Sequence, residues 1–340
     1  MKVFLTGGTG FVGQEILRQL HLEEHSVRML VRDAGSMRAK AAVAEYGAEL
    51  TVGDILETHQ AEKQSPHPLR RRAFGGQAGP LPFRRGEGEF SARSRASALT
   101  GVQAVIHLVG IISEVSRSTF ENVHTQGTRN VVAAAQAAGV KRFIHMSALG
   151  TRLHASSRYH QTKWAAEEAV RASGLDYTIF RPSLIYGPQD QFVNLFAKII
   201  RRSPIVPVLG SPRARFQPVS IDAVASAFVK SLNESKSVGQ TYDLCGPETF
   251  TLPEILDQIM QAIGRKRLKL RVPNGLARCQ AVFLEFLFPR LLRKAAPLNR
   301  DQLTMLQEDN IGDAGPANDL FNLQHPQFRE GIARYVRREA

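Results

Sequence analysis

A doubly wound α/β fold built on a parallel sheet is what this 340-residue sequence predicts. Three observations carry that reading. A glycine-rich run, Thr6-Gly7-Gly8-Thr9-Gly10-Phe11-Val12-Gly13, stands between an apolar pentapeptide and an amphipathic stretch. Short apolar strands then alternate with helical periods as far as Arg181. A Tyr-x-x-x-Lys pair, Tyr159 and Lys163, falls about 145 residues after the glycine run, in a helix that follows the fifth strand.

The elements follow in order. Lys2–Leu5 is a strand and Gln14–Leu22 a helix; Ser26–Val31 is the second strand, Met37–Tyr46 a helix and Glu49–Val52 the third strand. Ala104–Leu108 is the fourth strand, Thr128–Ala138 a helix, Arg142–Met146 the fifth strand, Tyr159–Ser173 a helix and Tyr177–Arg181 the sixth strand. Two mononucleotide-binding halves in succession give this order, and residues 1–187 are assigned to that domain. Between the third and fourth strands, residues 59–97 are rich in Arg, Gly, Pro and Ser and show no apolar period. They read as a disordered basic insertion, or as a frame-disturbed stretch of the gene. Residues 188–340 form a smaller C-terminal substrate or docking lobe, with about 216–232 returning to the first domain. Helices are expected at Asp190–Arg202, Ile221–Leu232 and Pro253–Ile263, the last begun by Thr251, with a short strand at Gly239–Leu244.

Composition narrows the function classes. The chain has a net charge of +13, concentrated at 58–99 (net +5) and at 264–300 (net +9). Neither stretch interleaves aromatic residues as a single-strand binding face does, so specific nucleic-acid binding is not expected. The two cysteines, Cys245 and Cys279, have no histidine pair beside them and read as reduced thiols, with no metal site. No apolar run approaches the ~20 residues of a membrane span. The first strand runs straight into the glycine loop with no cleavable leader ahead of it, which predicts a cytoplasmic chain. Residues 277–292, with AVFLEFLF at their centre and Arg278, Arg290, Arg293 and Lys294 at their flanks, fit either a helix lying in an anionic membrane interface or an ordinary helix of the lobe.

The glycine run lies where a dinucleotide fingerprint belongs, between first strand and first helix. Gly7 permits the tight turn, Gly10 lets the backbone approach a pyrophosphate, and Gly13 lets helix and strand pack closely. The helix start then offers free N–H groups and a positive dipole end to phosphates. At the end of the second strand an acid would accept the ribose 2′-hydroxyl of NAD, whereas an arginine suits the 2′-phosphate of NADP. The strand ends Leu30-Val31-Arg32-Asp33, and Arg32 favours NADP(H) over NAD(H). Asp54, closing the third strand before Ile55, is read as an acceptor for the adenine amino group or as the cap of the next element. Tyr159 and Lys163 share a helix face. There the ammonium is expected to lower the phenol pKa, making it an acid/base, and to bond the nicotinamide ribose. His107 and His145 read as satisfied core residues, and Trp164 as packing.

These residues together resemble the extended and atypical short-chain dehydrogenase/reductases of Rossmann fold. TGGTGFVG, Asp54, HLVG at 107–110, the Tyr159/Lys163 pair and RPSLIYG at 181–187 carry the likeness. FIHMSALG, SRYHQTKWAAEEAV, TYDLCGPETFTLPEI and NRDQLTMLQEDN resemble more narrowly the bacterial relatives of the Rossmann-fold accessory subunit of respiratory complex I. The resemblance spans nearly the whole chain outside 59–97. It implies a dinucleotide contacted by Gly7, Thr9, Gly10, Phe11, Val12, Gly13, Arg32, Asp54, Ile55, Leu108, Val109, Gly110, Tyr159, Lys163 and Pro182. It also implies a Ser or Thr at the end of the fifth strand. Here the run is His145-Met146-Ser147-Ala148. Ala148 aligns nearest that place and Ser147 is the candidate hydroxyl, although one residue of offset on a strand reverses the face. His124, where relatives carry Asn, reads as a polar helix-start residue ahead of a catalytic one. Asp222 reads as an N-cap or ion-pair residue. Arg213 and Arg215 read equally as substrate contacts or surface charges.

Three functions are carried forward. One is an NADPH-dependent oxidoreductase acting on a carbonyl or quinone-like substrate, with Tyr159, Lys163 and Ser147 as its catalytic residues. The second is a non-catalytic NADP(H)-binding module docked on a membrane respiratory complex or an anionic membrane surface, at the inner face of the cytoplasmic membrane. The third is a sugar-nucleotide epimerase or dehydratase, which shares the fold.

Overall fold

Strands that are apolar at every position must be covered on both faces, and parallel pairing with crossover helices does this. The computed structural model describes residues 1–56, 97–288 and 298–336. Its main sheet has seven strands, all parallel: β1 (Lys2–Thr6), β2 (Ser26–Val31), β3 (Glu49–Val52), β4 (Ala104–His107), β5 (Arg142–Met146), β6 (Asp176–Pro182) and a seventh, Gln240–Leu244. The order across it is Gln240–Leu244, β6, β5, β4, β1, β2, β3. Strand order reverses between β1 and β4, so a crevice opens past the carboxyl ends of these two strands, at Thr6 and His107. The basic insertion, apart from Ser97, lies outside the described residues, as do Arg290, Arg293 and Lys294.

Alternation along β1 divides the core. Val3 and Leu5 face helix α1 (Phe11–Leu22), which inserts Ile16, Leu17 and Leu20, and the helix Ile221–Ser231, which brings Val224 and Phe228. Phe4 faces the other way, with Val105, Phe143 and Ile179, toward Val131 and Ala135 of Gly127–Ala137 and Val170 of Arg158–Arg171. Helix α2 (Met37–Tyr46) starts at a Ser36 cap and ends at Gly47, whose φ of 63° is the left-handed conformation glycine adopts without strain. Val219, Val224 and Phe228 pack in this core, while Phe216 lies in a second cluster. The seventh strand pairs with β6, and Ala317, Phe321 and Leu323 pack on the same face as Phe228.

A second apolar cluster joins Phe196 and Ile200 of Phe192–Arg202, Ile255 and Ile259 of Leu252–Ile263, and Phe328 and Ile332 of Phe328–Val336. Thr251 opens the middle helix as expected, its N–H donating to Glu254 at 2.7 Å. Beside it lies a parallel ribbon of Ile205–Val208 and Leu268–Arg271. Val206 and Val208 point inward, while Ile205, Leu268 and Leu270 stand exposed. The adjacent helix Asn274–Leu287 packs Ala277 and Ala281 against Leu303 and leaves Leu276, Val282 and Phe283 exposed. Residues 264–284 hold six Lys and Arg and no Asp or Glu. Cys245 and Cys279 are free thiols. No helix among the described residues is long and apolar enough to cross a membrane.

Candidate functional site

The loop after β1 is shaped by what a side chain would strike. Gly7 takes a φ of 77°, and the Gly10 N–H donates back to the Gly7 carbonyl at 2.9 Å, closing the turn. A Cβ on Gly13 would stand 2.3 Å from the Gly7 oxygen and 2.6 Å from Gly8 Cα, so α1 rests directly on the loop backbone. Gly10 caps α1 with no side-chain hydrogen bond, and the Phe11, Val12 and Gly13 amides of the first turn have no partner among the described residues. A Cβ on Gly10 would meet only the Gly7 oxygen, at 3.1 Å, so the outer side of the loop stays open for a diphosphate to approach. The donors and the clearance fit a dinucleotide. Gly8 was not singled out from the sequence, yet its Cβ would fall 2.2 Å from Met29 Sδ.

Past β2, Arg32 is exposed, with no hydrogen bond or ion pair among the described residues. Asp33 is occupied: its carboxylate accepts the Gly35 N–H at 2.8 Å and its carbonyl accepts the Ser36 hydroxyl at 2.9 Å. A second cation joins the edge of this site. Arg38 Nη1 donates to the Thr9 carbonyl at 2.9 Å and Nη2 to Gln189 at 3.3 Å. Asp54 caps its own turn, accepting the Leu56 N–H at 3.0 Å. Buried Ile55 is held through its carbonyl by Asn130 at 2.7 Å. Leu108 and Val109 back onto Gly7, within 3.2–3.3 Å of a Cβ placed there. Pro182 is buried at the end of β6, its carbonyl accepting the Leu149 N–H at 2.9 Å.

Tyr159 and Lys163 lie one turn apart on Arg158–Arg171, and Ser157 caps that helix. Lys163 is 2 % exposed, and its ammonium donates to the Met146 carbonyl at 2.9 Å. It also lies 3.2 Å from where a Cβ on Gly110 would be, so the ends of β4 and β5 converge on it. Burial pulls this ammonium down to about 8. The expected lowering of the Tyr159 phenol is not found: burial first, and the Asp301 carboxylate second, push it up to about 12. The Lys163 ammonium is directed at the Met146 carbonyl, and its charge is not among the causes acting on the phenol. The Tyr159 ring packs edge-on against His124 (5.1 Å), His160 (5.2 Å) and Phe120 (5.9 Å).

Three buried imidazoles surround Lys163. His107 shares hydrogen bonds with Thr6 (2.7 Å) and Thr128 (3.1 Å), as a satisfied core residue should. His145 stacks on it at 5.5 Å, but neither of its ring nitrogens has a partner among the described residues, contrary to expectation. His124 lies in a π-helical turn, Glu121–Gln126, bonded to Thr162 (2.9 Å) and to the Ile111 backbone (3.1 Å). Burial brings His107 down to about 3 and His124 to about 2, with the Lys163 charge adding to both, and His145 falls well below its usual value. All three are neutral near pH 7.

Ser147 is 1 % exposed and its hydroxyl donates to Thr151 at 3.3 Å. Met146 and Ala148, on either side of it, are half-buried, which is the alternation that turns Ser147 to the opposite face. No hydrogen bond joins it to Tyr159 or Lys163 among the described residues. Ser220 caps Ile221–Ser231, Asp222 takes the ion-pair alternative with its carboxylate 4.0 Å from Arg18, and Arg215 is paired with Asp309 at 2.6 Å. Trp164 packs under the Arg171 guanidinium at 5.0 Å.

Comparisons with known proteins bear on the family and the fold. The NmrA-like family model matches residues 1–287. The mitochondrial NADH dehydrogenase [ubiquinone] 1 alpha subcomplex subunit 9 of Mus musculus is 32% identical over 270 residues, 75% of this chain and 69% of that protein. The ceramide reductase of Caulobacter vibrioides is 29% identical over 280 residues, 80% of this chain and 74% of that protein. Among solved structures, the dTDP-glucose 4,6-dehydratase DesIV of Streptomyces venezuelae, with NAD and TYD bound, superposes with a TM-score of 0.70 at 20% identity, over 100% of this chain and 97% of that one. At that identity the likeness is one of fold. With its glycine loop at the crevice of a doubly wound parallel sheet, this chain belongs to the NmrA-like family and shares the Rossmann-like fold of that dehydratase.

Proposed function

We propose that this protein is an NADP(H)-dependent oxidoreductase that reduces a carbonyl or quinone-like substrate. The observation that carries the reading is Lys163, buried one turn from Tyr159 and held where the ends of β4 and β5 meet, on the carboxyl side of the sheet that also bears the glycine loop. NADPH, when bound, supplies the reducing equivalent. The α1 amides hold the diphosphate. Tyr159, protonated through neutral pH, holds the proton for the substrate oxygen, and the Lys163 ammonium supports negative charge developing there. Arg32 and Arg38 favour the extra phosphate of NADP(H), because Asp33, the acid that would select NAD(H), is taken up by its own turn. The relative named ceramide reductase favours reduction of a carbon-centred substrate over the epimerase reading.

The test is calorimetry together with NADPH oxidation across carbonyl and quinone panels. Arg32→Ala is expected to weaken NADPH binding about tenfold to a hundredfold, the worth of one charge-assisted hydrogen bond, while NADH binding is unchanged. An NADPH-to-NADH affinity ratio equal to that of the wild type would remove the basis for NADP(H).

A second reading, docking of a nucleotide-stabilised fold at a membrane complex, is favoured by the acid-free stretch 264–284 and its exposed Leu268, Leu270, Leu276, Val282 and Phe283. Its relatives among complex I subunits point the same way. The wild type is expected to sediment with phosphatidylglycerol vesicles and not with phosphatidylcholine, and the double variant Leu270→Glu, Phe283→Glu with neither. Equal sedimentation of variant and wild type sinks the idea.

A further inference from the structure

The helix bearing Tyr159 and Lys163 receives at its first turn a carboxylate from far along the chain. Asp301 Oδ1 accepts the Arg158 N–H at 2.8 Å and Oδ2 accepts the Tyr159 N–H at 2.9 Å. These are two of the amides a helix start leaves without internal partners. Ser157 takes a third by accepting the His160 N–H at 3.2 Å. One residue of the helix therefore has its backbone clamped by a charge and its ring placed among Phe120, His124 and His160. That residue is Tyr159.

Asp301 is itself firmly placed. Asn299, 6 % exposed, caps the helix Arg300–Met305 and reaches across to the Ile112 carbonyl (2.8 Å) and the Ser113 hydroxyl (2.7 Å), in the loop that leaves β4. On the other side, Glu308 accepts from Ser156 (2.6 Å) and Arg152 (2.8 Å), just ahead of the Tyr159 helix. Arg300 is fixed through its N–H and Nε to Glu285 of the helix Asn274–Leu287, at 2.6 and 2.7 Å. The segment is thus anchored to both walls of the site and to the outer helix of the lobe.

We infer that Asp301 is a positioning residue for Tyr159: its carboxylate fixes the first turn of the helix so that the phenol meets the substrate in one orientation, and it makes the C-terminal lobe a part of the reaction centre. The inference rests on the proposed oxidoreductase reading for its catalytic meaning, but the clamp itself stands apart from that reading. The titratable groups around Tyr159 are His124 from the π-helical turn, His160 and, one turn on, Lys163 from its own helix, and Asp301, with the Arg158–Glu114 pair at the rim. Burial lowers the values of His124 and His160, and Asp301 is the carboxylate whose charge acts on the phenol.

The experiment compares wild type with Asp301→Ala, Asp301→Asn and Asp301→Glu by amide hydrogen exchange. The Cζ resonance of Tyr159 is followed against pH, assigned with Tyr159→Phe. Asp301→Ala is expected to speed exchange at Arg158 and Tyr159 about tenfold or more, the loss of two charge-assisted bonds. It is also expected to move the phenol titration to lower pH while NADPH affinity stays within about twofold of the wild type. Asp301→Asn, which keeps acceptor oxygen and loses charge, should retain part of the protection yet show the same direction of phenol shift. Asp301→Glu should recover both in part. Should Asp301→Ala fail to fold, Asp301→Asn decides by the phenol shift. Unchanged exchange and an unchanged Tyr159 titration overturn the inference. A wild type that neither binds NADPH nor turns over overturns the oxidoreductase reading instead, because exchange and resonance need no substrate.

Discussion

Gly13→Val is expected to weaken NADPH binding at least a hundredfold, about 3 kcal/mol, while the chain remains folded. The new Cβ would stand 2.3 Å from the Gly7 oxygen, 2.6 Å from Gly8 Cα and 2.9 Å from Gly7 C. All three are backbone atoms, and none can rotate aside as a side-chain tip would. Either the loop lifts from α1 or the helix start withdraws, and both destroy the alignment of the Phe11, Val12 and Gly13 amides. Overpacking of this kind costs about 1–3 kcal/mol, less than the ~5–15 kcal/mol that holds a domain together. Ile16, Leu17 and Leu20 still anchor α1 in the core. Gly47→Ala is the control. Its φ is 63° and a Cβ there meets nothing within 4 Å, so strain alone should lower stability by about 1 kcal/mol with an unchanged Kd. Calorimetry on the three proteins checks this, and near-wild-type affinity in Gly13→Val would refute the diphosphate site.

Much of the sheet was legible because its signal is local. Most of β1 to β6 are short, largely apolar runs beside amphipathic helices, and a right-handed crossover then leaves few ways to order them. Gln240–Leu244 was readable as a strand, but its place beside β6 is a tertiary fact that no nearby residue announces. The same division runs through the site. The tight turn at Gly7 and the seat of Gly13 on it depend on residues within one short run, so they are legible locally, whereas the packing of Gly7 on Leu108 and of Gly8 on Met29 is not. The direction of the Tyr159 shift was not legible, because spacing reveals an ammonium one turn away but neither the burial of the phenol nor the Asp301 carboxylate that push it up. Arg38 had a weak signal, a second arginine six residues past Arg32, with nothing to say that it would reach Thr9. Asp301 had none: its two partners lie more than 140 residues earlier, and only the packed lobe brings them together.

Under the oxidoreductase reading, Tyr159→Phe is expected to lower kcat about a hundredfold to ten-thousandfold with NADPH affinity intact, since it removes a proton donor and leaves the α1 amides in place. The pH profile should then show which of the two groups limits the wild type. Tyr159, pushed up to about 12, stays protonated across the working range, whereas Lys163 loses its charge as pH rises through about 8. The rate should therefore hold below pH 8 and fall above it. Lys163→Arg should remove that fall, because a guanidinium remains charged. Stability moves the opposite way. The fold lowers Lys163 from 10.5 to about 8, so between those values the unfolded chain binds more protons than the folded one, and stability rises with pH. The relief is on the order of 3 kcal/mol for this buried amine. Lys163→Met should lack the rise while being more stable than wild type below pH 8. A wild-type rate that declines only near pH 10, or a Lys163→Met protein whose stability tracks the wild type through pH 8–10, would show that the buried ammonium is not the titrating group.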